Sequence, residues 1–109
     1  MQPATSRRAT RMADSIMREL GRIIVEEARD PRLNLVTITG VLMNKDLSIA
    51  RVMYTHIQGP SPELEKALGS ARGFLRSSLG QNLKMRYVPE LRFEWDTYLQ
   101  EMVYDSRSQ

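Results

Sequence analysis

The sequence predicts one α+β domain in which a three-stranded sheet is covered on one face by helices. Three observations carry this expectation. Apolar residues recur with a helical period in two long stretches and lose it in three shorter, β-branched or alternating ones. The stretches follow one another as helix, strand, strand, helix, strand, an order that stacks helices on one side of a sheet. The chain has 109 residues and no cysteine, so it suits a single core held by packing alone.

The first helix is expected from about Ser6 to Ala28, with Met12, Ile16, Leu20, Ile23 and Ile24 as its buried stripe and Asp30-Pro31 ending it. Strands are expected over Leu35 to Met43 and Leu47 to Ile57, joined as a hairpin at Asn44 to Asp46. In the second strand Ala50, Val52 and Tyr54 share one face and Arg51, Met53 and Thr55 the other; the first set is assigned to the core because Arg51 is costly to bury. Ser61 is a candidate N-cap, with Pro62 at the first position of a second helix running to about Leu83. Its stripe is Leu64, Ala67, Leu68, Ala71, Leu75 and Leu79. Gly69 and Gly73 interrupt it, each costing about 1 kcal/mol relative to alanine in a helix interior. A last strand spans "LRFEWD", where Leu91, Phe93 and Trp95 alternate with Arg92, Glu94 and Asp96. The domain organisation expected is a flexible N-terminus over 1–5, the folded domain over 6–96 and a C-terminal tail over 97–109, in which Leu99, Met102, Val103 and Tyr104 could dock on the body.

The net charge is only +3, so its distribution matters more than its total. From Lys66 to Arg92 six basic residues stand against one acid, Glu90. Beyond Arg92 acids dominate. A polarised molecule of this kind fits a nucleic-acid binder with one contact face, and equally an ordinary solvated surface. On the first helix Arg7, Arg11, Arg18, Arg22 and Arg29 fall on one side of the wheel. Asp14 with Arg18 and Arg22 with Glu26 are spaced as helical ion pairs, leaving Arg7, Arg8 and Arg11 without nearby acids.

Little catalytic chemistry is available. His56 is the only histidine and has no nucleophile suggested near it, so a structural role fits it best. No His/Cys cluster, EF-hand or HExxH pattern points to a metal, and no Walker loop or GxGxxG to a nucleotide, so no cofactor is expected. Glu26, Glu27 and Asp30 read as helix-surface charge. No apolar run approaches the roughly 20 residues of a membrane helix, and the N-terminus lacks the apolar centre of a secretory signal. A soluble, cytoplasmic, non-enzymatic protein is the expectation.

Four motifs in order carry a family resemblance: "RMADSIMREL" with "DPRL", "VTITGV" followed by "KDLSIARV", "SARGFLRSSLG", and "VPELRFEWD". Together they resemble the bacterial ribosome-binding factor A proteins. The resemblance implies a type-II KH-like fold in which an Ala-x-Gly kink, here Ala71-Arg72-Gly73, takes the place of the GXXG loop. On that basis the second helix is expected to break or bend at the triplet, with Arg72 and Arg76 beside the bend where an RNA backbone passes. The implied role is a monomeric, non-catalytic assembly factor. It would bind the free small (30S) ribosomal subunit and its 16S rRNA, assist late maturation and 5′-end processing, matter for growth in the cold, and be linked to an assembly GTPase. The phosphate contacts expected are Arg72, Arg76, Lys84 and Arg86, then Arg7, Arg8 and Arg11; beyond the kink triplet these rest on charge. A general single-stranded RNA-binding regulatory module is the alternative, and an RNA hydrolase a remoter one. The acidic ending "EMVYDSRSQ" departs from relatives with a longer basic extension.

Overall fold

The structure is a computed structural model and describes residues 4–98. Helix α1 spans Arg7–Glu26, strand β1 Val36–Met43, strand β2 Ile49–His56, helix α2 Pro62–Asn82 and strand β3 Glu90–Trp95, with a single 3-10 turn at Pro31–Leu33. The order is the one the periodicity predicts, and the fold is α+β. Expectations for residues 1–3, and for docking of the tail from Leu99 onward, lie outside the described residues.

Both helices begin where their capping chemistry dictates. The Ser6 hydroxyl accepts the Ala9 N–H at 3.1 Å and the Ser61 hydroxyl accepts the Leu64 N–H at 3.1 Å, each satisfying one of the donors a helix start leaves open. Pro62 follows as the first residue of α2, where its missing N–H costs nothing. The turn after α1 is closed by Asp30, whose carboxylate accepts the Arg32 N–H and pairs with its guanidinium.

The sheet order is β1-β2-β3, with β1 antiparallel and β3 parallel to β2. A parallel neighbour requires a crossover, and α2 supplies it. Ile16, Leu20, Ile23 and Ile24 from α1 meet Leu64, Leu68, Leu75 and Leu79 from α2 over Ala50, Val52 and Leu91, all buried. The face assigned to the core in β2 is the buried one, with Tyr54 packed edge-on to Trp95 at 5.6 Å between ring centres. On the other face Arg51 pairs with Glu94. Met12 is only partly buried, and Ala9 and Ala13 complete the α1 stripe in its place, because short side chains bring the start of the helix close to the sheet.

Two local departures come from turn chemistry. Leu47, expected to open β2, lies instead in the hairpin turn at φ 63°, and β2 begins at Ile49. The Asn44 side-chain carbonyl accepts the Ile49 N–H, and Asp46 accepts from Ser48, so side chains hold the turn that backbone pairing leaves open. In β1 the register slips between Ile38 and Gly40, leaving Thr39 as an extra residue. This bulge re-phases the strand: Val36 and Ile38 face the core before it, Val41 and Met43 after it. Strict alternation would have turned Leu42 inward and Val41 out.

Candidate nucleic-acid interface

Arg72 and Arg76 lie one helical turn apart on α2, and both are exposed. They differ in what they hold. Arg76 donates through Nε to the Pro89 carbonyl at 3.1 Å and through Nη2 to the Val88 carbonyl at 2.9 Å, tying α2 to the segment before β3. Arg72 has no ion pair among the described residues. Arg76 is therefore first a tether for the 83–89 segment, with its outward donors left for a phosphate, and Arg72 is the unencumbered cation.

The 83–89 segment is held at several points. The Leu83 N–H reaches the Leu79 carbonyl and the Met85 N–H the Gly80 carbonyl at 3.0 Å, the bonding of a Schellman-type helix stop. Lys84 takes the left-handed position of that stop at φ 52°. Gly80 lets the segment close in, since a Cβ there would stand 2.9 Å from Val88 Cγ2. The Glu90 N–H then bonds the Ser48 carbonyl, fixing the start of β3 beside the hairpin turn. Lys84 and Arg86 are exposed on this anchored segment, and the Arg86 guanidinium lies over the Tyr87 ring at 5.5 Å.

The α1 arginines reach the same end of the molecule. Glu27 accepts from Ser78 and Glu19 from Asn82, so α1 runs antiparallel to α2 and its N-terminal turns lie beyond the end of α2. The Ala4 N–H bonds the Met43 carbonyl, placing the entry to α1 beside the hairpin. Arg7, Arg8 and Arg11 are exposed, with no acid partner among the described residues. Charge alone did not single out Lys45 and Tyr87, which also sit at this end. Lys45 is carried there by the hairpin, and Tyr87 left a signal in the sequence as an aromatic inside a basic run.

Arg22 behaves otherwise. It bonds Glu19, Glu26 and Glu27 together, its guanidinium is held in the charged form by those carboxylates, and Glu19 is pulled below the usual carboxylate range chiefly by that bond. Glu26 and Glu27, though adjacent, converge on one cation because the arginine spans both directions. They also line a hollow of about 670 Å³ beside Phe74, towards the C-terminal end of α1. Asp14 and Arg18 form no ion pair with each other, and neither has one among the described residues. His56 closes β2, with Nδ1 accepting the Gln58 N–H at 3.1 Å.

Helix α2 is one continuous element through Ala71-Arg72-Gly73, so of the break or bend expected there the break is absent, and the N–H groups after the triplet stay inside one helix. Leu68 and Leu75 are fully buried on either side of it, and this shared core contact favours continuity. Neither Gly69 nor Gly73 has an atom within 4 Å of an added Cβ, so neither glycine answers a contact among the described residues.

The family model for ribosome-binding factor A matches residues 8–107, which span both helices and all three strands. The chain belongs to the ribosome-binding factor A family. A ribosome-binding factor A from Alcanivorax borkumensis is 41% identical, with 99% of this chain and 85% of that protein aligned. The crystal structure of ribosome-binding factor A from Thermus thermophilus superposes with a TM-score of 0.68 at 28% identity, covering 79% of this chain and 93% of that one. A Thermus homology model fitted into a cryo-EM map of a 30S complex gives 0.67 at 29% identity, covering 77% and 91%. As a member of the ribosome-binding factor A family, this chain shares the helix–strand–strand–helix–strand frame that carries the basic end.

Proposed function

We propose that this chain is an assembly factor for the small ribosomal subunit, binding the free 30S particle through 16S rRNA and assisting its late maturation, including processing at the 5′ end. Family membership over nearly the whole chain carries the reading, because a Thermus relative has been fitted into a 30S complex. The residues supply a compatible mechanism. Arg72, Lys84 and Arg86, with Arg7, Arg8 and Arg11, present cations that position phosphates without reading sequence, so selectivity rests on the shape of the immature particle.

The Ala71-Arg72-Gly73 triplet is a bending point used on the particle. Gly73 leaves a helix that is continuous in the free chain weak enough to flex, and flexing swings Arg72 against Arg76. The protein acts as a cytoplasmic monomer, without catalysis of its own, and leaves the particle with the help of an assembly GTPase. Its contribution is greatest in the cold, where misfolded RNA is slowest to rearrange.

Co-sedimentation with isolated small subunits, large subunits and joined ribosomes across a salt series tests this. Selective pelleting with free small subunits is expected, falling as salt rises because phosphate contacts release counterions. Equal affinity for all three particles and for unrelated RNAs would instead identify a general single-stranded RNA binder.

A further inference from the structure

We propose that Tyr87 is a stacking platform for one unpaired base of single-stranded RNA; this rests on the RNA-binding reading and names the form of RNA that the basic end takes. Tyr87 is 80% exposed, so its ring contributes little to the core. Large aromatics left in water on a loop are usually free to move. This one is flanked by fixed points: the Met85 N–H bonded to the Gly80 carbonyl on one side, and the Val88 and Pro89 carbonyls gripped by Arg76 on the other. Pro89 is buried, and Val88 packs against Gly80 at a distance that excludes even a methyl group. The backbone thus presents the ring from a held base, so little backbone conformational entropy remains to be lost on binding.

The ring's two faces are not equivalent. Arg86 covers one at 5.5 Å. The high exposure leaves the other open to a flat apolar ligand, and the surrounding charge selects an anionic one: Arg86 is the adjacent residue, Lys84 lies three positions before the ring on the same held segment, and Arg76 and Arg72 follow along α2. A base joined to phosphates meets both conditions, with the ring stacking on Tyr87 and the flanking phosphates on the cations. Duplex RNA does not, since its bases already stack on one another and its deep major groove is closed to side chains. The same platform is indifferent to base identity, because every base has a π-face.

The test compares wild type, Tyr87→Ala and Tyr87→Trp, each checked for fold by circular dichroism, on two labelled probes: a single-stranded oligoadenylate and an abasic oligomer of equal phosphate count. Tyr87→Ala is expected to weaken oligoadenylate binding about tenfold or more, to leave the abasic oligomer unaffected, and to keep the wild-type salt slope. Tyr87→Trp should retain affinity, with its indole fluorescence quenched by oligoadenylate and not by the abasic oligomer. Unchanged oligoadenylate binding by Tyr87→Ala, or equal loss on both probes, overturns the stacking role while the RNA-binding reading stands. Should wild type bind neither probe nor small subunits, both fall together.

Discussion

Lys84 occupies a backbone conformation that glycine usually fills. At φ 52° its Cβ crowds the following carbonyl, a strain of about 1 kcal/mol that the helix stop around it must overcome. Lys84→Gly is therefore expected to raise unfolding stability by about 1 kcal/mol in a urea titration. It should also weaken small-subunit binding, because the charge is lost. The neighbouring arginines should separate in the same way. Arg72→Glu is expected to leave the urea midpoint unchanged and to reduce pelleting, whereas Arg76→Glu should do both harms, losing about 1 kcal/mol with the two carbonyl contacts it makes. A helical wheel makes these two arginines equivalent. The carbonyls that distinguish them belong to residues 88 and 89, brought back by the helix stop, and no local spacing records that return.

The glycines of α2 pose the same problem for a whole element. Read from the chain, Gly69, Gly73 and Gly80 look alike, three glycines within one helical pattern. Of these three, Gly80 alone meets a close atom among the described residues, Val88. Gly69→Ala and Gly73→Ala should each stabilise the protein by about 0.5–1 kcal/mol through helix propensity. Gly80→Ala should destabilise it, since overpacking costs about 1–3 kcal/mol and outweighs that gain. If Gly73 serves a bend on the particle, Gly73→Ala will be more stable yet bind small subunits less well; unimpaired binding would remove the bend from the mechanism. The elements themselves were legible because periodicity and capping residues are local: Ser6, Ser61, Pro62 and the alternation of "LRFEWD" all mark real boundaries or faces. Thr39 was not legible, since a bulge is set by the partner strand, and neither was the turn conformation of Leu47, an apolar residue in a place that favours glycine or asparagine.

Across the whole molecule, cations without acid partners collect at one end, although Asp46 and Glu90 stand there too and Arg32 lies with Glu63 at the other. The entry to α1, the hairpin turn and the 83–89 segment share one end with Lys45, Lys84, Arg86 and the first three arginines, while Glu63, Glu65 and Asp96 lie at the other. The sequence reading found the cationic segment but not its junction with α1, which depends on the antiparallel packing of the helices. Acid should undo part of this arrangement. Glu19, Asp30 and Asp46 are held below their ordinary values, chiefly by bonds from Arg22, Arg32 and Ser48 respectively. Groups whose folded pKa is depressed stabilise the fold above their unfolded pKa of about 4 and lose that contribution as pH falls through the folded value. The melting temperature is expected to be level from about pH 7 to 5 and to drop below about pH 4, by a modest amount because these carboxylates are near solvent. Glu19→Gln should flatten part of that drop.

The sheet's order has a consequence for how the molecule is made. The middle strand has both its partners only when β3 is in place, and β3 is the last described strand that a ribosome synthesises. Until Glu90 to Trp95 emerge, one side of β2 carries a row of unpaired amides and carbonyls beside an already formed hairpin. A nascent chain stalled at that point, or one truncated before Glu90, would offer that row to any strand nearby, so its characteristic failure is association with other chains rather than simple unfolding.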